Sequence, residues 1–232
     1  MALVSCPTSS IGTVSKVDVR DAVDALPDPI TGDVLYCGYA AESSFGAASY
    51  LVQRDGPGGD GSVLVDSPRA ARPLMDRIAA LGGVETMFLT HRDDVADHAE
   101  YAKRLGCTRV MHAADIGPGT RDVERRIDGD EPVSLGPDLL AIPVPGHTRG
   151  SQALLYREIL FTGDHLWGTG DGDGLEASRG VCWFSWAEQT RSMEKLLAFD
   201  FEWVLPGHGP RFHAPPRKMR AELEKLIARM RQ

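Results

Sequence analysis

The stretch Met87-Phe88-Leu89-Thr90-His91-Arg92-Asp93-Asp94-Val95-Ala96-Asp97-His98 passes from an apolar run into a loop dense in imidazole and carboxylate. Such a run suits a buried strand, and the polar residues behind it then sit where the strand leaves its sheet. The same change of character recurs along the chain. Ser62 to Asp66 is an apolar run ending in a carboxylate, and Leu139 to Val144 leads to Pro145-Gly146-His147-Thr148. Ile159-Leu160-Phe161 leads to Thr162-Gly163-Asp164-His165, and Trp203-Val204-Leu205 leads to Pro206-Gly207-His208-Gly209. Ala71, Leu74, Met75, Ile78 and Leu81 recur at helical spacing before the stop Gly82-Gly83. Gln152 to Tyr156 reads as a further strand, and Trp186, Met193 and Leu197 mark a helix from Trp186 to Phe199. Alternating strands and helices of this kind are the grammar of an α/β protein.

Of the seven histidines, His91, His98, His147, His165 and His208 fall inside these segments. Alone, a Pro-Gly-His is a turn with a surface imidazole, and a Gly-Asp is a turn or a helix cap. Together they form a donor set. Imidazole nitrogen and carboxylate oxygen suit zinc, iron or manganese, and loops at one edge of a sheet can bring such ligands together without entering the core. Glycines beside His147, Asp164 and His208 permit the tight turns that aim the side chains. His112 and His213 lack this context and read as structural or surface residues.

A chain of 232 residues with 42% hydrophobic and 25% charged residues can bury a full core, so one large α/β domain is expected. A formal charge of −8 without a Lys/Arg stripe argues against nucleic acid as a partner. The basic run from Arg217 to Arg231 carries Met219, Leu223, Leu226, Ile227 and Met230 at helical spacing, which makes it the outer face of an amphipathic helix. No segment approaches the roughly 20 apolar residues that cross a bilayer. The first residues also lack the regions of a signal peptide, so a cytoplasmic location without a membrane partner is expected. Cys6, Cys37, Cys107 and Cys182 are scattered, which fits reduced thiols rather than disulfides or a zinc knuckle. Arg54 to Gly61 reads as a hairpin loop, and Gly168 to Gly174 as a loop either beside the site or on plain surface. Trp167, Trp183, Phe184 and Trp186, with His165, either wall a substrate pocket or pack the core.

From about Asp33 to His208 the chain resembles the metallo-β-lactamase superfamily. Asp66 stands at the place of that family's first motif, Thr90 to His98 at the second, and His147, Asp164 and His208 at the third, fourth and fifth. The resemblance implies an αββα sandwich of two mixed β-sheets flanked by helices, holding two divalent metal ions, zinc foremost, with iron or manganese as alternatives. It implies His91, Asp93, His147 and Asp164 at one metal, and Asp97, His98, Asp164 and His208 at the other. Asp164 would bridge, a hydroxide shared by the metals would attack, Asp97 would take the nucleophile's proton, and Asp66 would fix a histidine tautomer from behind.

The second motif departs from the family pattern His-x-His-x-Asp-His, reading instead His91-x-Asp93-x-x-x-Asp97-His98. Either Asp93 or Asp94 replaces the missing imidazole, giving a harder site, or these carboxylates cap the following helix, the reading preferred for Asp94. An aspartate at 164 resembles thioesterases of the glyoxalase II kind, lactonases and phosphodiesterases, whereas true β-lactamases carry Cys or Ser there. A small ester, thioester or lactone is therefore the leading substrate class. Two other readings stay open: a non-haem iron oxidoreductase of the same fold, and a catalytically inactive metal-bound binding protein.

A narrower resemblance rests on Ser5-Cys6-Pro7-Thr8-Ser9-Ser10-Ile11, Thr90 to His98 and Phe161 to His165. These runs look like a subgroup of cyanobacteria and plants that carries a ferredoxin-like iron–sulfur module ahead of the hydrolase domain. On that reading residues 1–32 are an extension left from the module and residues 33–232 the metallo-β-lactamase-fold domain. One thiolate cannot hold a four-iron cluster, so Cys6 is expected to be a packed thiol or a relic. The sequence leaves oligomeric state open, a homodimer included.

Overall fold

The computed structural model describes residues 2–8, 11, 14, 18–54 and 61–232. Ser9 and Ser10 of the N-terminal run, and most of the hairpin loop expected at Arg54 to Gly61, lie outside the described residues. The chain forms two compact units: residues 1–89, 93–110 and 123–125 make the first, and residues 90–92, 111–122 and 126–232 the second.

In the first unit, short helices α1 (Ala2–Ser5) and α2 (Arg20–Asp24) precede β1 (Asp28–Thr31), β2 (Val34–Tyr36), β3 (Tyr50–Val52) and β4 (Val63–Val65). These strands pair antiparallel in succession. Helix α3 (Arg72–Ala80) then leads to β5 (Thr86–Phe88), and α4 (His98–Leu105) to β6 (Thr108–His112), so that β4, β5 and β6 run parallel. With β7 (Arg125–Ile127) the strands follow the order β1-β2-β3-β4-β5-β6-β7. Every residue of β4 is buried, as are Met87 and Phe88 of β5. Strands covered on both faces are uniformly apolar rather than alternating, which is why their sequences read as runs. Helix α3 turns Leu74, Met75 and Ile78 inward, the stripe its spacing predicts. Cys6 is a buried thiol beside Thr8. Burial pushes the Cys37 and Cys107 thiols up to about 12 and about 11, so both stay protonated at neutral pH.

The second unit carries a meander of β8 (Val133–Gly136), β9 (Leu139–Pro143), β10 (Gln152–Tyr156) and β11 (Ile159–Gly163). The Gly/Asp-rich stretch Gly168 to Gly174 turns a small hairpin between β12 (Trp167–Gly168) and β13 (Leu175–Glu176). Helix α5 (Trp186–Leu196) leads to β14 (Trp203–Pro206), which joins β11 in parallel, and β15 (Phe212–His213) ends the sheet before α6 (Pro216–Met230). The order is β15-β14-β11-β10-β9-β8. Ile142, Val144, Ala153 and Leu160 pack with Met193 and Leu196 of α5 and Leu223 and Leu226 of α6. Helix α6 buries the apolar stripe read from its sequence and leaves most of its basic residues in solvent.

Direction matters most for function. Strand β10 is antiparallel to both β9 and β11, and β14 is parallel to β11. Strands β9, β11 and β14 therefore share one direction, and their C-terminal ends, which lead to His147, Asp164 and His208, open at one edge of the sheet. Two large mixed sheets with accompanying helices give the metallo-β-lactamase fold class expected from the sequence. No helix among the described residues is long and apolar enough to cross a membrane.

In the first unit, buried Arg109 of β6 is answered by Glu124: Nη2 donates to Oε1 at 2.7 Å, Nε to Oε2 at 3.0 Å, and the Arg109 amide to Oε2 at 2.8 Å. The Arg109 hydrogen bonds hold the Glu124 carboxyl down at about 2 against an ordinary 4.5. A folded-state pKa below the unfolded one contributes stability above the unfolded value and loses it as pH falls through the folded value. In urea titrations, Glu124→Gln is therefore expected to lower stability most above pH 4.5, the deficit shrinking toward pH 2. A pH-independent deficit would contradict the pairing.

Candidate metal centre

Strand ends position the site, and the second unit supplies it. Gly163 pairs with Pro206 across the parallel strands β11 and β14, and the Gly207 amide donates to the Gly163 carbonyl at 2.9 Å. That register sets Asp164 and His208 side by side, with His208 Nδ1 donating to Asp164 Oδ1 at 2.7 Å. The other carboxylate oxygen, Oδ2, lies 3.8 Å from His91 Nε2 and 3.8 Å from His147 Nε2. The His91 and His147 rings meet edge to face at 4.7 Å between centroids. His91 arrives at the same edge because the Thr90 carbonyl accepts from the Gln152 amide at the start of β10, at 2.8 Å. Gly163, at φ +50°, lets the turn pass so close that a Cβ there would lie 2.4 Å from Thr90 Oγ1.

The ring orientations follow from hydrogen-bonding capacity. His147 Nδ1 faces the Val181 carbonyl, which can only accept, so Nδ1 carries a proton and Nε2 is the nitrogen turned toward Asp164. His91 Nδ1 is paired with Thr90 Oγ1 at 3.0 Å, turning the corresponding Nε2 to Asp164. Burial pushes the Asp164 carboxyl up, but the hydrogen bond from His208 and the neighbouring His91, His208 and His147 imidazoles outweigh it, holding the carboxyl below its ordinary range. Side-chain exposure grades from 1% and 2% at His91 and His147 to 34% at His208, so solvent reaches the group from the His208 side.

This donor set fits a divalent cation. His91, His147 and Asp164 each present one ligand atom, and these atoms lie within 4.8 Å of one another. Two imidazole nitrogens with their other nitrogens engaged, and one anionic oxygen, match the preferences of zinc and other borderline metals.

One further residue organises the group and was not singled out from the sequence. Asp115, buried in the second unit, accepts from the Arg92 amide at 3.1 Å, the Thr148 hydroxyl at 2.5 Å and the Gly150 amide at 2.7 Å. Arg92 adjoins His91 and Thr148 adjoins His147, so one carboxylate ties both imidazole-bearing loops together. Its sequence context, Met111-His112-Ala113-Ala114-Asp115, gives no signal of this. His112 is structural, its Nε2 meeting the Gly129 carbonyl at 3.0 Å, and His213 stacks on Trp203 at the surface.

Several expected site residues belong to the first unit and take other work there. Asp97 Oδ2 accepts from the Ala70 amide at 2.7 Å, which commits that oxygen to holding residue 70 beside the start of α4. His98, expected as a ligand, is buried in the first unit beside Arg109. Its Nδ1 lies 3.1 Å from Arg109 Nη1, and a guanidinium only donates, so Nδ1 must accept and Nε2 must carry the proton. Asp97, not Asp94, stands at the N-cap of α4, and no side chain caps there, so the capping role preferred for Asp94 is corrected. Asp94 is fully buried and Asp93 half-buried. Asp66 is buried at the end of β4 in a left-handed conformation, φ +56°, while Thr90 and Val181 are the partners of the His91 and His147 Nδ1 atoms.

The expected aromatic wall divides. Trp183 faces His147, ring centroids 6.3 Å apart. Trp186 instead donates from Nε1 to the Met230 carbonyl of α6 at 2.9 Å and lies under Arg179. Trp167 packs over Gly209, where an added Cβ would meet its ring at 2.8 Å. His165 is only 1% exposed, and burial, reinforced by His147 and Lys195, pushes its ring down to about 3, so it is a neutral interior residue.

Fold and donor set together define a protein of the metallo-β-lactamase fold whose sheet edge carries a candidate histidine and aspartate ligand group. No protein-family model matches the chain. Among curated proteins it is 38% identical over 123 residues to the hydroxyacylglutathione hydrolase of Anaeromyxobacter dehalogenans (strain 2CP-C), a match covering 50% of this chain and 46% of that protein. The chain spans about half the length of the curated relatives it matches. The solved BLEG-1 B3 metallo-β-lactamase superposes with a TM-score of 0.61 at 16% identity, covering 78% of this chain and 93% of that one. TTHA1623, solved in a di-iron-bound form, superposes with a TM-score of 0.52 at 22% identity, covering 72% and 89%. These two likenesses establish the fold.

Metal content separates the roles assigned above. His147→Ala is expected to abolish tight metal binding, and Asp115→Ala to weaken it by about 10- to 100-fold with the ligands themselves intact. His98→Ala should keep full metal content while lowering the unfolding midpoint. Elemental analysis after dialysis, with calorimetric metal titration, measures all three. Loss of metal in the His98 variant would restore it as a ligand.

Proposed function

We propose that the protein is a metal-dependent hydrolase of a small thioester, ester or lactone, nearest in kind to glyoxalase II. The observation that carries the reading is the convergence of His91 Nε2 and His147 Nε2 on Asp164 Oδ2, each at 3.8 Å, with His208 on the opposite carboxylate oxygen. The likeness to hydroxyacylglutathione hydrolases supports the thioester class.

In this reading His91, His147 and Asp164 hold one divalent cation, and Asp164 with His208 contributes to a second. Cations held there would supply Lewis acidity, lowering the pKa of water toward neutrality and polarising the scissile carbonyl. The chain's own residues do the rest. Asp164 is held anionic by the His208 hydrogen bond, and it presents one oxygen to the His91/His147 pair and the other to His208. Thr90 and Val181 keep the two imidazoles oriented. The buried face formed by His91 and His147 excludes bulk water, so the substrate approaches from the half-exposed His208 side.

A second reading, non-haem iron redox chemistry on the same fold, is favoured by the carboxylate-rich segment Asp93 to Asp97 and by the neighbour solved with two irons. A substrate panel on fully metal-loaded protein decides between them. Turnover of S-acylglutathione thioesters or lactones, without oxygen uptake and without β-lactam hydrolysis, is the expected result. Silence on every thioester, ester and lactone, with oxygen consumed by the iron-loaded form, would overturn the hydrolase assignment.

A further inference from the structure

Residues 181–184 hold three apolar side chains in solvent: Val181 is 38% exposed, Trp183 62% and Phe184 47%. Single exposed apolar residues are ordinary, but a contiguous group marks a surface that binds something apolar. This segment is not a loose loop free to fold its side chains away. The Trp183 amide donates to the His147 carbonyl at 2.9 Å, the Phe184 amide to the same carbonyl at 3.1 Å, and the Ser185 amide to the Gly146 carbonyl at 3.0 Å. Cys182 Sγ donates to the Gly146 carbonyl at 3.2 Å. Ser185 then caps α5, its Oγ accepting from the Glu188 amide at 3.3 Å. Backbone fixed in this way keeps the aromatic faces in place at little conformational cost to a ligand.

The strap is also part of the metal-binding turn. Its Val181 carbonyl accepts from His147 Nδ1, and the Trp183 ring stands 6.3 Å from the His147 ring at an interplanar angle of 60°. A surface that orients a ligand imidazole on one side and offers bare aromatic area on the other adjoins the reacting centre. Nothing in Val181-Cys182-Trp183-Phe184 is charged, so what this strap offers a ligand is apolar contact.

We propose that Trp183 and Phe184 seat the acyl group of the substrate, and that this group is a bulky aliphatic or aromatic one rather than a small hydroxyacyl. The inference rests on the hydrolase reading for its reaction but on the strap alone for its chemistry. The occupant is the substrate's acyl chain; a second copy of this chain is the competing occupant.

The test uses metal-loaded full-length protein and thioesters of one common thiol with acetyl, butyryl, hexanoyl and phenylacetyl groups. The wild type is expected to prefer hexanoyl and phenylacetyl over acetyl by about tenfold or more in kcat/KM. Trp183→Ala/Phe184→Ala should collapse that ratio toward one, and Trp183→Phe should retain it. A parallel arm measures binding of the unreactive S-hexyl thioether of the same thiol by calorimetry. Chain-length-dependent binding that the double variant loses, without turnover of any thioester, would leave the seat standing and remove the hydrolase reading. Turnover indifferent to acyl size in both proteins would overturn the seat while leaving hydrolysis intact. A dimer that becomes monomeric in the double variant, with acyl selectivity unchanged, would likewise overturn it and assign the patch to self-association.

Discussion

A carboxylate almost enclosed by protein has to be answered by donors or cations, and the answer given to Asp164 organises this molecule's functional edge. Its Oδ1 takes the His208 hydrogen bond and its Oδ2 looks toward two imidazoles. That arrangement is possible because β9, β11 and β14 run in one direction, so residues far apart in sequence leave the sheet at the same edge. Parallel pairing of β11 with β14 does the finest positioning, since the Gly163 to Pro206 register leaves Asp164 and His208 adjacent. A shift of one residue would turn the side chains to opposite faces and dissolve the group.

Around this carboxylate the supporting bonds fall into a second ring. Val181 fixes the His147 tautomer, Thr90 meets His91, and Asp115 links the loops that bear both imidazoles. The Thr90 and Thr148 contacts are fully buried, where an unmet polar group costs about 1–3 kcal/mol, and the Val181 and Arg92 contacts are partly so. The side-chain geometry of this edge is thus over-determined by the protein's own hydrogen bonds, the preorganisation that a binding site needs.

Much of this was legible in the sequence, for identifiable reasons. Strands β4, β5, β9, β10, β11 and β14 announce themselves as apolar runs because both of their faces are largely buried, and α3, α5 and α6 as stripes because only one face is. His147, Asp164 and His208 were readable because each follows a strand end and a turn residue. The second motif was legible by residue type only: the contacts of Asp97 with Ala70 and of His98 with Arg109 join residues 11 to 27 positions apart, and no local spacing encodes them. Asp115 escaped for the same reason, its partners lying 23 to 35 residues away. The aromatic cluster after Asp164 was visible, but which rings face His147 and which face α6 depends on the strap's backbone hydrogen bonds.

The central claim is that one cation is held by the imidazoles of His91 and His147 together with Asp164. X-ray absorption fine structure at the metal edge of the loaded protein reads that shell directly. The account predicts nitrogen and oxygen scatterers at about 2.0–2.1 Å with the outer-shell scattering of at least two imidazoles. A shell of oxygens alone, or one containing sulfur, would contradict it.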